Sequence, residues 1–166
     1  SNIIPTNIIE IGSQNGWDSN RLANRFNIHD DNVYIIEAHP GFYHTITTEY
    51  PNYNVYNLAG SDTNGVVTFN AAKNFDDGRS SFLDRDIYTT KDFIKVDIES
   101  TRMDTFLTNH SIDSIDLLKI DVEGFEYNVL LGSKKSIHKI FNFLFFTTSQ
   151  KDTVSNFSAA NLHYFF

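Results

Sequence analysis

Residues 115–131 read IDLLKIDVEGFEYNVLL, and the fold is decided there. An apolar run, Leu117-Leu118-Lys119-Ile120, stops at Asp121-Val122-Glu123-Gly124. Helix-compatible residues follow, with Phe125, Val129 and Leu130 apolar. This is the pattern of a buried strand whose carboxyl end presents two acids, then a tight glycine turn into a helix. In open α/β sheets, ligands bind at the carboxyl ends of strands. Carboxylates are costly in a core unless partnered, so two at that point mark a candidate site.

On either side, apolar segments recur at intervals that suit βα repeats. Residues 7–11 (NIIEI) are a short β-branched run stopped by Gly12. Residues 18–26 carry Leu22, Ala23 and Phe26 at helical spacing, with Asp18 or Ser19 as N-cap. Val33–Ile36 is a second strand, closed by Glu37 and by Pro40-Gly41; residues 42–50 then read as a helix stopped by Pro51. Residues 54–58 form a third strand. Residues 66–70 alternate and suit antiparallel pairing with 93–98, while the polar stretch 74–92 reads as a long loop. Met103–Asn109 is a short helix, residues 117–120 the fourth main strand, and 125–131 a helix ended by Gly132. Ile140–Phe146 (IFNFLFF) is a fifth, very apolar strand. Short continuous apolar runs suit parallel strands covered on both faces. The expected fold is α/β, a doubly wound, mainly parallel sheet in a single domain over residues 1–166.

Composition narrows the function. The chain has 166 residues, 40% of them hydrophobic and 20% charged, a globular composition. Net charge is −8 and no Lys/Arg cluster exceeds Lys134-Lys135, so a phosphate-tracking nucleic-acid surface is not expected. There is no cysteine, which removes disulfides and thiolate metal sites and is compatible with a cytoplasmic location. No apolar run reaches the ~20 residues that span a bilayer. The start, Ser1-Asn2-Ile3, has neither the basic nor the long apolar region of a secretion signal.

Three clusters carry chemistry. Glu10-Ile11-Gly12-Ser13-Gln14-Asn15-Gly16 lies at the first strand-to-helix turn. Glycine permits close backbone approach, the helix-start amides attract an anion, and Glu10 can accept from a ligand ammonium or from loop amides. The spacing E-x-G-x-x-x-G is neither the dinucleotide G-x-G-x-x-G nor a P-loop, and taken alone it also reads as an ordinary tight turn. Glu37 ends the second strand, about 20 to 30 residues after the glycine turn, where an acid can accept from both ribose hydroxyls of a nucleotide-like ligand. Asp121 and Glu123 are two apart, so they converge on one point if the chain stays extended to Glu123. Convergent carboxylates suit a hard divalent cation or a general base. The bland alternative is one acid capping the next helix and the other solvated. His39, beside Glu37, reads as a loop residue, the alternative being a place on the pocket lining, and Trp17 either touches a ligand or packs on the sheet.

In this order, residues 8–19 (IIEIGSQNGWDS), 33–40 (VYIIEAHP) and 115–133 (IDLLKIDVEGFEYNVLLGS) resemble the FkbM-type S-adenosylmethionine-dependent methyltransferases. Asn57-Leu58-Ala59-Gly60, Ser80-Ser81 and residues 101–107 look like further landmarks, and the likeness runs from Ile8 to Phe146. The resemblance implies a class I methyltransferase (Rossmann-like) fold and methyl transfer, commonly to a hydroxyl of a sugar or other small molecule. It also implies roles for particular residues. Glu10, Gly12, Ser13, Asn15 and Gly16 would hold the methionine part of S-adenosyl-L-methionine. Glu37 would hold the ribose with Ala38 nearby, and Ala59, Gly60 and Ser61 would lie near the adenine. Asp121 and Glu123 would face the transferring methyl and the acceptor as base, orienter or ligands of a divalent cation. Ser80 and Ser81 would close over the site. Family members continue past the fifth strand with a helix and an antiparallel strand pair, and many carry an acid where this chain has Thr147-Thr148. The expected sheet is therefore C-terminally shortened.

The alternative is a catalytically idle, methyltransferase-like binding or assembly module, in which the aromatic end Tyr164-Phe165-Phe166 meets a partner or a second copy in a homo-oligomer. A nicotinamide enzyme is disfavoured by the glycine spacing. An amino-methyltransferase acting on nucleobases is disfavoured by the lack of an Asn/Asp-Pro-Pro-aromatic stretch.

Overall fold

Runs of Ile, Val and Leu pair as parallel strands in the computed structural model, which describes residues 4–73 and 92–146, the last seven by backbone alone. The main sheet holds β1 (Ile8–Ile11), β2 (Val33–Ile36), β3 (Asn54–Tyr56), β7 (Ile115–Ile120) and β8 (Ile140–Phe146), in the order β3-β2-β1-β7-β8. Every pairing in it is parallel. A smaller sheet holds β4 (Ala59–Gly60), β5 (Gly65–Ala72) and β6 (Phe93–Thr101) in the order β4-β6-β5, with β5 and β6 antiparallel. The helices are α1 (Trp17–Phe26), α2 (Pro40–Glu49), α3 (Met103–Asn109) and α4 (Glu126–Gly132).

Strand alternation sorts the core onto two faces. Ile9, Ile11, Leu118 and Ile120 point to one, against Met103, Phe106 and Leu107 of α3 and Val129 and Leu130 of α4. Ile8, Val33, Ile35 and Leu117 point to the other, against Ala23 of α1 and Ile46 of α2. Helices on both faces of a parallel sheet give the doubly wound architecture expected from the sequence. The chain leaves β1 toward β2 on one side and reaches β7 on the other. The crevice between the ends of β1 and β7 is thus the topological switch point, where such sheets bind ligands.

Several boundaries differ from expectation for local reasons. The N-cap of α1 is Gly16, in left-handed conformation with φ of 76°, and makes no side-chain cap bond; neither Asp18 nor Ser19 is the cap. Pro40 does not end a strand region but opens α2 at its first turn, where a missing N–H costs nothing. β3 stops at Tyr56, and α4 starts at Glu126 and includes Gly132. Residues 147–166, with the expected shortened end and its aromatics, lie outside the described residues, as do Ser80 and Ser81. Among the described residues, no helix is long and apolar enough to cross a membrane.

Candidate functional site

Three loops meet at the switch point. The turn after β1 is wound around a carboxylate delivered by β2. Glu37 accepts from the backbone amides of Ser13 (2.8 Å) and Gln14 (2.9 Å) with one oxygen and of His39 (2.7 Å) with the other. Burial pushes the Glu37 carboxyl above its ordinary value, against the pull of these three amides. A carboxylate offers about four acceptor positions, so one remains for a ligand hydroxyl. Gly12 is obligatory in this turn. Its φ is +77°, and a Cβ there would lie 2.0 Å from the Asp121 carbonyl oxygen. The two strand ends are thereby packed backbone to backbone.

The turn after β7 is wound in the same way around a different acid. Glu126, 2% exposed, accepts from Val122 N (3.1 Å) and Gly124 N (3.0 Å) with one oxygen. Burial raises its carboxyl above the ordinary value. Glu126 therefore takes the helix-start role that the sequence offered to Asp121 or Glu123. The condition for those two to converge is not met. β7 ends at Ile120 and Glu123 is left-handed, with φ of 51°, so the chain is not extended through it. Both acids nonetheless line the same pocket. Among the described residues, no group of three or more His, Cys, Asp or Glu could hold a metal ion.

Glu10 is placed behind the pocket, not on its wall. It is register partner to Lys119 on β7, and both side chains lie on the face covered by α1. Glu10 is fully buried, accepts from Lys119 Nζ at 2.6 Å, and accepts a short bond from the Ser19 hydroxyl. Lys119 also meets Asp18 Oδ2 at 3.1 Å and lies 3.8 Å from Asp121 Oδ2. Burial alone would lower the lysine, but Glu10, Asp121 and Asp18 outweigh it and raise it. Glu10 is raised by the same burial, which its bonds to Lys119 and Ser19 oppose.

The pocket wall holds Gly12, Ser13, Asn15, Glu37, Ala38, Gly60, Asp121 and Glu123 of the expected residues. Gly16, Ala59 and Ser61 stand just outside it: Gly16 caps α1, and Ser61 bonds Asp62 and Thr63. Residues that sequence reasoning missed are Asp18, Phe42, Leu58, Phe69 and Lys119. Trp17 lines the mouth at 58% exposure with the Arg21 guanidinium 5.2 Å from its ring centroid, so it does not pack on the sheet. His39 is not a free loop residue. It caps α2, accepting from Gly41 N and Phe42 N through Nδ1 and donating from Nε2 to the Ala72 carbonyl.

Two features of the pocket bear on its chemistry. The Ser13 hydroxyl is buried and, among the described residues, has no hydrogen-bond partner, which costs stability unless a ligand supplies one. Asp18, Glu37, Asp121 and Glu123 share the wall with a single lysine, so acid outnumbers base there.

The family described as "Methyltransferase FkbM domain" matches residues 10–160. The chain is 26% identical to the 2-O-methyltransferase NoeI of Sinorhizobium fredii, over 51% of this chain and 39% of that protein. Its fold is similar to the crystal structure of a methyltransferase FkbM from Methylobacillus flagellatus KT, with a TM-score of 0.53 and 16% identity, over 80% of this chain and 30% of that one. The chain thus spans well under half the length of either relative.

Proposed function

We propose that this chain, which belongs to the FkbM methyltransferase domain family, transfers a methyl group from S-adenosylmethionine to a hydroxyl of a sugar or another small hydroxylated acceptor. The observation that carries the reading is the turn over residues 12–16, gathered onto the buried Glu37 at the switch point of a parallel sheet. When bound, the cofactor supplies a methyl already activated on a sulfonium.

The protein's part is placement and proton removal. Gly12, Ser13 and Asn15 hold the amino-acid end, and Gly16 shapes their turn as the cap of α1. Glu10, sealed behind Lys119, holds the two strands together and does not meet the ligand. Glu37 holds the ribose beside Ala38. Gly60 borders the adenine, with Ala59 and Ser61 buried beside it in the chain, and the apolar side chains of Phe42, Leu58 and Phe69 on the same pocket support that division. Asp121 and Glu123 orient the acceptor hydroxyl and take its proton, a role suited to carboxylates at a mouth that water can reach. The name of the Sinorhizobium relative, a 2-O-methyltransferase, supports a hydroxyl acceptor.

The test is label transfer from methyl-tritiated S-adenosylmethionine to a panel of methyl pyranosides. The parent is expected to label at least one of them. Asp121→Asn is expected to label it about 100-fold more slowly, in the usual range for loss of a proton acceptor. If the chain binds S-adenosylhomocysteine but labels no hydroxylated acceptor, methyl transfer gives way to the idle binding module.

A further inference from the structure

We infer that Asp18, not Glu10, receives the ammonium of the cofactor's amino-acid end, and that the Ser13 hydroxyl receives its carboxylate. This assignment rests on the cofactor reading above. Glu10 is sealed: it is fully buried, one of its oxygens is taken by Lys119 and the other by Ser19, and it is absent from the pocket wall. Lys119 stands between it and the pocket. To reach Glu10, a ligand ammonium would have to displace another ammonium.

Asp18 is on the near side of the same lysine and does line the pocket. Its oxygens meet Lys119 at 3.1 Å and Arg21 at 3.2 Å, which leaves about two of four acceptor positions open. Its side chain is 34% exposed, so a ligand has access. Charge favours the same direction. Glu10, Asp18 and Asp121 all lie within 3.8 Å of one ammonium, and Arg21, the second cation at Asp18, has a side chain 63% exposed. The cluster keeps an excess of negative charge for a ligand cation to meet.

Ser13 supplies the independent observation. Its residue is 7% exposed and lines the pocket, and its hydroxyl has no partner among the described residues. A hydroxyl donates one proton, and a carboxylate is the strongest neutral-to-anion partner for it. A ligand bearing an ammonium beside a carboxylate, an α-amino acid, satisfies Asp18 and Ser13 together.

Two nucleosides separate this from other arrangements. S-Adenosylhomocysteine carries the amino acid; 5′-methylthioadenosine carries the same adenosine and sulfur without it. By calorimetry, Asp18→Asn is expected to weaken S-adenosylhomocysteine about tenfold or more while leaving methylthioadenosine within about twofold. Ser13→Ala is expected to show the same selectivity and to melt no lower than the parent, since it deletes an unpartnered buried group. Glu10→Gln is expected to melt lower yet keep the parent's preference between the two nucleosides. The assignment is overturned if Asp18→Asn weakens both nucleosides equally or neither, or if Glu10→Gln is the variant that abolishes the preference. A parent that binds neither nucleoside overturns the cofactor reading and this assignment with it.

Discussion

The turns after β1 and β7 solve one problem by two routes. Each must bring backbone amides together at a strand end, and each does so on one oxygen of a buried carboxylate. In the first turn the acid is Glu37, which reaches Ser13 and Gln14 from 24 and 23 residues away. In the second it is Glu126, four and two residues from Val122 and Gly124. The first turn is therefore a tertiary object, formed only when β1 and β2 are paired. The second closes on itself at the start of α4. The long-range turn carries the unpartnered Ser13 hydroxyl, and the local one carries Asp121 and Glu123. A change to sheet pairing should reach the ligand through the first turn and leave the second intact.

The largest effect is expected where the turns touch. Gly12→Ala places a methyl 2.0 Å from the Asp121 carbonyl oxygen, at a φ of +77°. Clash with backbone and left-handed strain together are expected to cost about 3–5 kcal/mol in urea unfolding. A loss below about 1 kcal/mol would mean the two strand ends are not in contact.

Next is Glu37→Ala, which strands the Ser13, Gln14 and His39 amides. The expected loss is about 2–4 kcal/mol, the scale for several buried donors left unmade. Hydrogen exchange should speed at Ser13 and Gln14 and stay at parental rates at Val122 and Gly124. Equal acceleration at all four would erase the distinction between the turns.

Glu126 gives the smaller, local effect. Glu126→Ala is expected to cost about 1–3 kcal/mol; Glu126→Gln, whose amide oxygen can still accept both N–H groups, under about 1 kcal/mol. The pair also has a pH signature. Burial raises Glu126 above 4.5, so the folded chain keeps that proton longer than the unfolded one. Its contribution is full below pH about 4.5 and is lost as pH rises through the raised value. The stability advantage of the parent over Glu126→Gln should therefore shrink from pH 4 toward neutrality; an advantage that grows with pH would contradict the burial of this acid.

Much of the architecture was legible because the strands are short, β-branched and bounded by clear turn residues. Val33–Ile36, Met103–Asn109 and Ile140–Phe146 have the boundaries read from the sequence, and β5 and β6 pair antiparallel as their alternation suggests. What stayed hidden depends on register. In IIEI and LLKI the third residue is charged, with opposite sign, and pairing β1 to β7 sets Glu10 against Lys119. That matched interruption is the signal that would have revealed the buried pair and moved Glu10 off the pocket wall. His39 was missed as a cap because its ring nitrogen, not an Asn, Asp, Ser or Thr oxygen, accepts the helix amides. Phe42 and Phe69 carry no site signal in the sequence, because nothing local tells an apolar pocket wall from a packed interior.

Calorimetry of S-adenosylhomocysteine on the parent and on Glu37→Ala, both verified folded at the working temperature, goes to the heart of the matter. If the turn wound on Glu37 is the cofactor seat, the parent binds one equivalent and Glu37→Ala binds about 100-fold more weakly or not at all. A parent that does not bind, or a folded Glu37→Ala that binds like the parent, contradicts it.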